Sequence, residues 1–220
     1  MRKGKRYKLV VFDIDGTITE HVSSWRYIHE RLGLWDALAF KYQEQFLNGQ
    51  INYEEFCRLD AAHWKGLKIS KLKEIFKDIK YSKNVKASIR KLKERGFKLA
   101  AISTGLQFIT QRVKDELRLD YVIGNRLLDK KGVLTGLVNI RIGYLEKGKT
   151  LKTIAKHFRL KTKEVVCVGD SDGDIPMFKI AGYSIAFNSS SPNLNSNVDY
   201  ACKTKDFSEV YRKIMEVSGV

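Results

Sequence analysis

The chain has 220 residues, 43% of them apolar and 11% aromatic, which is the composition of a globular protein able to bury one core and a small second module. Its 41 basic and 25 acidic residues give a formal net charge of +16. No apolar run approaches the roughly 20 residues that span a bilayer, and the basic start Met1 to Arg6 reaches Asp13 too soon for a secretory signal, so neither a membrane-spanning nor a secreted protein is expected.

Leu9-Val10-Val11-Phe12 reads as the heart of a buried strand over Lys8 to Asp13, and it runs directly into Asp13-Ile14-Asp15-Gly16-Thr17. Carboxylates at i and i+2 of an extended segment point to one side, so both can face one pocket. The carboxyl ends of strands are where open α/β sheets bind ligands, and Gly16 lets the backbone turn sharply away. A nucleophile and a general acid/base sharing a divalent metal would need this arrangement, although a plain capped turn uses the same residue types.

Residues 18 to about 83 carry no strand pattern. Apolar residues recur at helical spacing around Trp25, Ile28, Leu32, Phe40, Phe46, Phe56 and Leu59, which predicts a separate helical module over the catalytic edge. A helix from Lys86 to Arg95 then stops at Gly96. Strands follow at Phe97 to Ser103 and, briefly, Tyr121 to Ile123. Lys130-Lys131-Gly132 between apolar runs signals a hairpin flap over about 126–140. A helix runs from Lys147 to about Phe158, and further strands are Val165 to Gly169, Tyr183 to Phe187 and Asp199 to Cys202. Asn188 to Asn197 is a loop, and Asp206 caps a last helix from Phe207 to Glu216. Strands alternating with helices predict an α/β fold around a mainly parallel sheet.

Three more motifs sit where an anion site would need them. Ser103-Thr104-Gly105 ends the second strand and is expected to open a helix, offering a hydroxyl and free amides. Lys147-Gly148-Lys149 starts a helix with a lysine free to neutralise an anion. Gly169-Asp170-Ser171-Asp172-Gly173-Asp174 ends the fourth strand with carboxylates suited to a hard cation such as Mg²⁺.

In this order, the four motifs resemble the haloacid dehalogenase (HAD) superfamily of phosphohydrolases, over nearly the whole chain and including the position of the helical insertion. Within it the chain is most similar to the phosphoserine phosphatase branch, through Asn125-Arg126-Leu127, Gly132-Val133-Leu134-Thr135-Gly136, Lys147-Gly148 with Leu151, Asp174-Ile175-Pro176-Met177-Phe178 and Ile185-Ala186-Phe187-Asn188. The resemblance implies a Rossmann-like parallel sheet core formed by residues 1–17 and 84–220, with an inserted helical cap at 18–83 and the small β-hairpin flap. It also implies a Mg²⁺-dependent phosphomonoester hydrolase. Asp13 is then the nucleophile that forms an aspartyl-phosphate and Asp15 the general acid/base. Ser103 and Lys147 bind the phosphoryl oxygens together with Thr104 and Gly105, and Asp13, Asp15 (through its carbonyl), Asp170 and Asp174 surround the metal.

Substrate choice should lie in the cap. The family's glutamate nine residues after the nucleophile is Val22 here, with Glu20 two residues earlier, while Arg58 matches the arginine that holds a substrate carboxylate. A small phosphorylated metabolite is therefore expected, phosphoserine being the best single choice, with another small phosphate ester or a polynucleotide end as alternatives. The basic residues are spread over polar helix faces instead of forming stripes interleaved with aromatics, so nucleic acid is not the expected partner. Cys57, Cys167 and Cys202 fit no metal pattern and read as apolar fillers in a reducing, cytoplasmic setting. His21 is placed at the pocket or in a solvated loop, and His29, His63 and His157 on packed or solvated helix faces. Trp25, Trp35 and Trp64 are expected in the cap core. The chain is expected to be a monomer or homodimer.

Overall fold

A strand reading Leu-Val-Val-Phe has no polar face to give to solvent and belongs at the centre of a sheet covered on both sides. The computed structural model places it there; the structure describes residues 6–21, 23–35 and 37–220. The strands are β1 (Leu9–Phe12), β2 (Lys98–Leu106), β3 (Tyr121–Lys130), β4 (Val133–Asn139), β5 (Val165–Gly169), β6 (Tyr183–Ala186) and β7 (Tyr200–Ala201), and their order in the sheet is β4-β3-β2-β1-β5-β6-β7. All pairings are parallel except β3 with β4. The order turns back at β1, which pairs with β2 on one side and β5 on the other. Such a switch point opens a crevice at the strands' carboxyl ends.

The helices are α1 (Ser24–Leu32), α2 (Ala37–Leu47), α3 (Tyr53–His63), α4 (Ile69–Lys77), α5 (Val85–Glu94), α6 (Gln107–Leu117), α7 (Lys147–His157), the short α8 (Ile175–Phe178) and α9 (Pro192–Ser196), and α10 (Ser208–Ser218). Alternate strand residues feed two cores. Val10, Phe12, Leu99, Ala101, Val166 and Val168 pack under α5, α6 and α10, while Leu9, Val11, Ala100, Ile102, Val165 and Cys167 pack under α7 and α8. The described cysteines are free, and Cys57 and Cys167 are fully buried.

Helices α1 to α4 follow β1 directly. Ser23 caps α1 by accepting from the Arg26 amide at 3.3 Å, Gly33 closes it at φ +67°, and Asn52 caps α3 by accepting from the Glu55 amide at 2.8 Å. Trp25 and Trp64 stack between these helices with ring centroids 5.5 Å apart, over buried Leu72, Ile75 and Phe76. The chain entering and leaving this helical group runs side by side: Ser82 donates through its hydroxyl to the Thr17 carbonyl (2.7 Å), and the Glu20 amide donates to the Lys80 carbonyl (3.0 Å).

Two local expectations are corrected. The strand expected to stop at Ser103 continues to Leu106: pairing of Ile102 with Ile123 jumps to Leu106 with Asn125, so Ser103-Thr104-Gly105 forms a bulge inside β2 and α6 starts only at Gln107. The three residues therefore supply no helix-start amides, because pairing resumes at Leu106 before the chain coils. Likewise β3 is not a three-residue strand. It runs from Tyr121 to Lys130 because its second half pairs with β4, across a turn in which Lys131 and Gly132 are both left-handed at φ +51° and +78°. The hairpin reaches the helical group through three backbone bonds, from Gly66 to Leu134, Leu134 to Leu67 and Ile69 to Gly132.

Candidate active site

Asp13 leaves the end of β1, Ser103 sits in the β2 bulge, Lys147 opens α7, and Asp170 and Asp174 follow β5, so four separate chain segments converge on the crevice. Lys147 Nζ lies 2.9 Å from Asp13 Oδ1 and 2.6 Å from Asp174 Oδ1, with all three side chains almost fully buried. Asp174 Oδ2 accepts from the backbone amides of Asp170 (3.0 Å) and Ser171 (3.1 Å), which fixes the loop after β5. Asp170 Oδ1 accepts from the Thr17 hydroxyl at 2.9 Å. Gly16, at φ +80°, carries no side chain because a Cβ there would stand 2.3 Å from Asp170 Oδ2.

The charges are unbalanced. Burial pushes the Asp13 carboxyl up to about 7, with Lys147 pulling back against burial and the neighbouring acids. Burial also raises Asp170 well above the usual carboxylate range, with Asp13 and Asp174 adding to it. Burial opposes the charge of Lys147, but Asp13 and Asp174 outweigh it and hold the ammonium above the ordinary lysine value. One lysine thus faces three carboxylates. Ligand oxygens of Asp13, Asp170 and Asp174 all lie within 4.8 Å of one another. An all-oxygen set that is short of positive charge fits a hard divalent cation. Both Asp174 oxygens are already engaged, so Asp13 and Asp170 have the freer lone pairs.

Asp15 lines the same crevice but reaches toward the start of α1. Its Oδ2 accepts from the Ser24 amide at 3.0 Å, while Oδ1 is buried without a partner. Burial raises its pKa above the ordinary aspartate value, and the Ser24 amide only partly opposes this. A carboxyl that keeps its proton is suited to protonating a leaving group. Its side chain is not part of the three-carboxylate group. Gly105 packs against it, since a Cβ there would stand 2.5 Å from Asp15 Oδ2. Ser103 Oγ accepts from the Gly105 amide at 2.8 Å.

A cavity of about 230 Å³ opens from Asp13, Asp15 and Lys147 toward α1, α2 and α3. Thr104 lines it and turns its carbonyl to three donors: Trp25 Nε1 (3.0 Å), the Tyr53 hydroxyl (3.0 Å) and Asn125 Nδ2 (3.0 Å). Of the cap residues expected to recognise substrate, neither lines this cavity. On α3, Tyr53 and Phe56 face it and Cys57 and Asp60 face the helical core. Arg58, one helical step past Cys57, therefore turns outward, 63% exposed with Glu55 3.6 Å away, over a separate groove beside the hairpin. Glu20 is exposed on the connecting strand of chain, and Val22 lies outside the described residues. His21 packs its ring edge on Tyr27 at 4.4 Å. The buried His29 approaches Asp60 at 3.2 Å inside the helical core. Asp172 accepts from the Ser191 hydroxyl, as a loop-fastening acid.

Sequence reasoning did not single out Tyr53, Gln43 or Tyr144, which line the cavity, and it took Phe46, Phe56 and Trp25 as core alone. Tyr144 stands three residues ahead of Lys147, in the turn that leads into α7, and no sequence pattern singled it out.

Comparison with known proteins agrees with this geometry. A family model described as haloacid dehalogenase-like hydrolase matches residues 10–179. A phosphoserine phosphatase of Methanocaldococcus jannaschii is 32% identical over 211 residues, covering 96% of this chain and 99% of the relative. One of Archaeoglobus fulgidus is 36% identical over 182 residues, covering 82% of this chain and 52% of the relative. Among solved structures, a substrate-bound phosphoserine phosphatase complex superposes with a TM-score of 0.83 at 31% identity, covering 95% of this chain and 99% of that one. A phospho-aspartyl intermediate analogue of phosphoserine phosphatase superposes at 0.82 with 32% identity, with the same coverage.

Proposed function

This chain belongs to the haloacid dehalogenase-like hydrolase family, and from that premise we propose that it is a Mg²⁺-dependent phosphomonoesterase working through an aspartyl-phosphate on Asp13. The carrying observation is Asp13 itself: a buried carboxylate at a strand end, held by a lysine at 2.9 Å and grouped with Asp170 and Asp174. Phosphoserine is the leading substrate, since relatives of that name match the chain nearly end to end.

Asp13 attacks phosphorus in line, forming one O–P bond as the ester O–P bond breaks. Asp15 gives its proton to the departing alcohol oxygen. It then takes a proton from the water that hydrolyses the aspartyl-phosphate, acid/base help worth about 10²–10⁴ in rate. Ser103 and Lys147 hold the phosphoryl oxygens, with Thr104 and Gly105 shaping their approach. Asp174 keeps Lys147 aimed at the site, by its 2.6 Å contact. Mg²⁺ would be held by Asp13, Asp170 and the Asp15 carbonyl, with Asp174 behind them. It would offset the repulsion between a carboxylate nucleophile and a phosphate dianion. Free cysteines support a reducing, cytoplasmic setting, and no helix among the described residues is long and apolar enough to cross a membrane.

The test is phosphate release from a panel of small phosphomonoesters headed by phosphoserine, with and without Mg²⁺. Turnover should require the metal and fall by at least ~10³-fold in Asp13→Asn, which keeps the shape but removes the nucleophile. Turnover surviving that substitution would overturn the reading.

A further inference from the structure

The cavity is divided by chemistry. Its carboxyl and ammonium groups, those of Asp13, Asp15 and Lys147, all lie at the phosphoryl end, and Lys147 is held by Asp13 and Asp174. The half beyond them is lined by Trp25, Phe46, Tyr53, Phe56 and Tyr144. Two of these rings have their polar atoms engaged elsewhere. Trp25 Nε1 and the Tyr53 hydroxyl both donate to the Thr104 carbonyl at 3.0 Å, and Asn125 Nδ2 donates to the Tyr53 oxygen at 3.2 Å. These two rings turn carbon surface to the cavity, beside Leu47 and the polar side chains of Ser23, Gln43 and Ser171. Phe46 joins the rings together: it stacks on Phe56 at 5.2 Å between centroids, and meets Tyr144 edge-on at 5.3 Å and Tyr53 at 5.7 Å. Arg58 lines a different groove.

An alcohol leaving group in this half meets ring surface, with Gln43 the side-chain amide among its lining groups. An aromatic leaving group gains there by leaving water and by offset or edge-on ring contacts. Apolar-lined cavities of ~150 Å³ already take benzene, so about 230 Å³ has room for a ring beside the phosphoryl group.

We propose that this chain also hydrolyses phosphate monoesters of uncharged aromatic alcohols, with the leaving-group ring seated among Phe46, Tyr53, Phe56, Tyr144 and Trp25. The proposal rests on the phosphatase reading above and specifies the substrate class that the same site takes. The chemistry is unchanged: the Asp13 oxygen bonds phosphorus, the ester O–P bond breaks, and the alkoxide takes the Asp15 proton. Water then releases inorganic phosphate and restores Asp13.

The test measures kcat/KM by phosphate release for benzyl phosphate, ethyl phosphate and phosphoserine, with Mg²⁺ present. Benzyl and ethyl phosphate both release primary alkoxides, so their ratio reports the pocket more than the bond being broken. Benzyl phosphate should exceed ethyl phosphate by about 10-fold or more, which corresponds to about 1.4 kcal/mol, and mainly through KM. Phe46→Ala should shrink that ratio at least ~3-fold, and Tyr144→Leu should shrink it independently should the first variant fold poorly. A ratio near one in the wild type would overturn the proposal while leaving the phosphatase intact, as would a ratio unchanged in both folded variants. Absence of turnover of every ester, phosphoserine included, would overturn the phosphatase reading and this proposal with it.

Discussion

Asp13 must lose its proton to attack phosphorus, yet burial pushes it toward the protonated form, up to about 7. Where an acid's folded pKa lies above its unfolded value of 3.8, the folded state binds the proton more tightly. Its stabilising contribution is then complete below about 4 and is lost as pH rises toward 7. Asp170 is shifted in the same direction. Metal-free protein should therefore carry a charge strain that grows from pH 5 to pH 8 and that Asp13→Asn removes. Thermal melts in excess chelator should show the Tm of Asp13→Asn relative to wild type increasing by about 5 °C across that interval, at roughly 2–4 °C per kcal/mol for a chain of this size. A difference that stays flat or falls with pH would contradict the direction assigned to Asp13. Both acids could be picked out in the sequence because they are adjacent to the strand that presents them. Their protonation could not: for Asp13 it depends on how Lys147 and Asp174 close around it from more than 130 residues further along the chain, and for Asp170 on burial and on Asp13, brought beside it from β1.

At the scale of elements, one buried side chain ties together the pieces that frame the cavity. Asn125 on β3 donates to the Thr104 carbonyl in the β2 bulge (3.0 Å), and its Oδ1 accepts from the amides of Arg141 and Ile142 just past β4 (2.8 and 3.0 Å). Truncating it strands two amides in a dry site, and buried polar groups left unpaired cost ~1–3 kcal/mol each. Asn125→Ala should lower Tm by about 5–15 °C and loosen the hairpin, a loss readable as faster amide exchange in β4 than in β1; an unchanged melt would show that solvent satisfies these groups. The hairpin itself was legible from Lys131-Gly132, whose left-handed turn matches the twist of paired strands. The length of β3 and the bulge of β2 were not, because each depends on a partner strand distant in sequence. The direction of Arg58 was hidden for a related reason: a motif gives a residue's place along α3, whereas helix phase against the neighbouring helices decides that Tyr53 and Phe56 face the cavity and Arg58 is exposed beside it.

Across the whole molecule, the mainly parallel sheet followed from strand-helix alternation, whereas the strand order and its switch point at β1 became visible only in the folded chain. The cavity's outer half was opaque because Phe46, Tyr53 and Tyr144 come from three segments that meet only through packing of α2 and α3 over the core. The net charge of +16 was equally silent about partners, but it does bear on the reaction. A substrate dianion approaches a molecule with a large positive excess, while the acids at the site itself are offset locally by Lys147 and, once bound, by a metal. Long-range attraction raises the encounter rate and the local anion concentration, and salt removes it as the Debye length shrinks from ~30 Å at 0.01 M to ~8 Å at 0.15 M. At saturating Mg²⁺, kcat/KM for a small dianionic ester should fall several-fold between about 10 and 300 mM NaCl. The turnover number should stay nearly constant, because the bound complex is shielded from the ions. A kcat/KM indifferent to salt would mean that the basic surface serves solvation alone, and a kcat that falls in parallel would place the salt effect inside the site, where the buried Asp13–Lys147–Asp174 chain is expected to resist it.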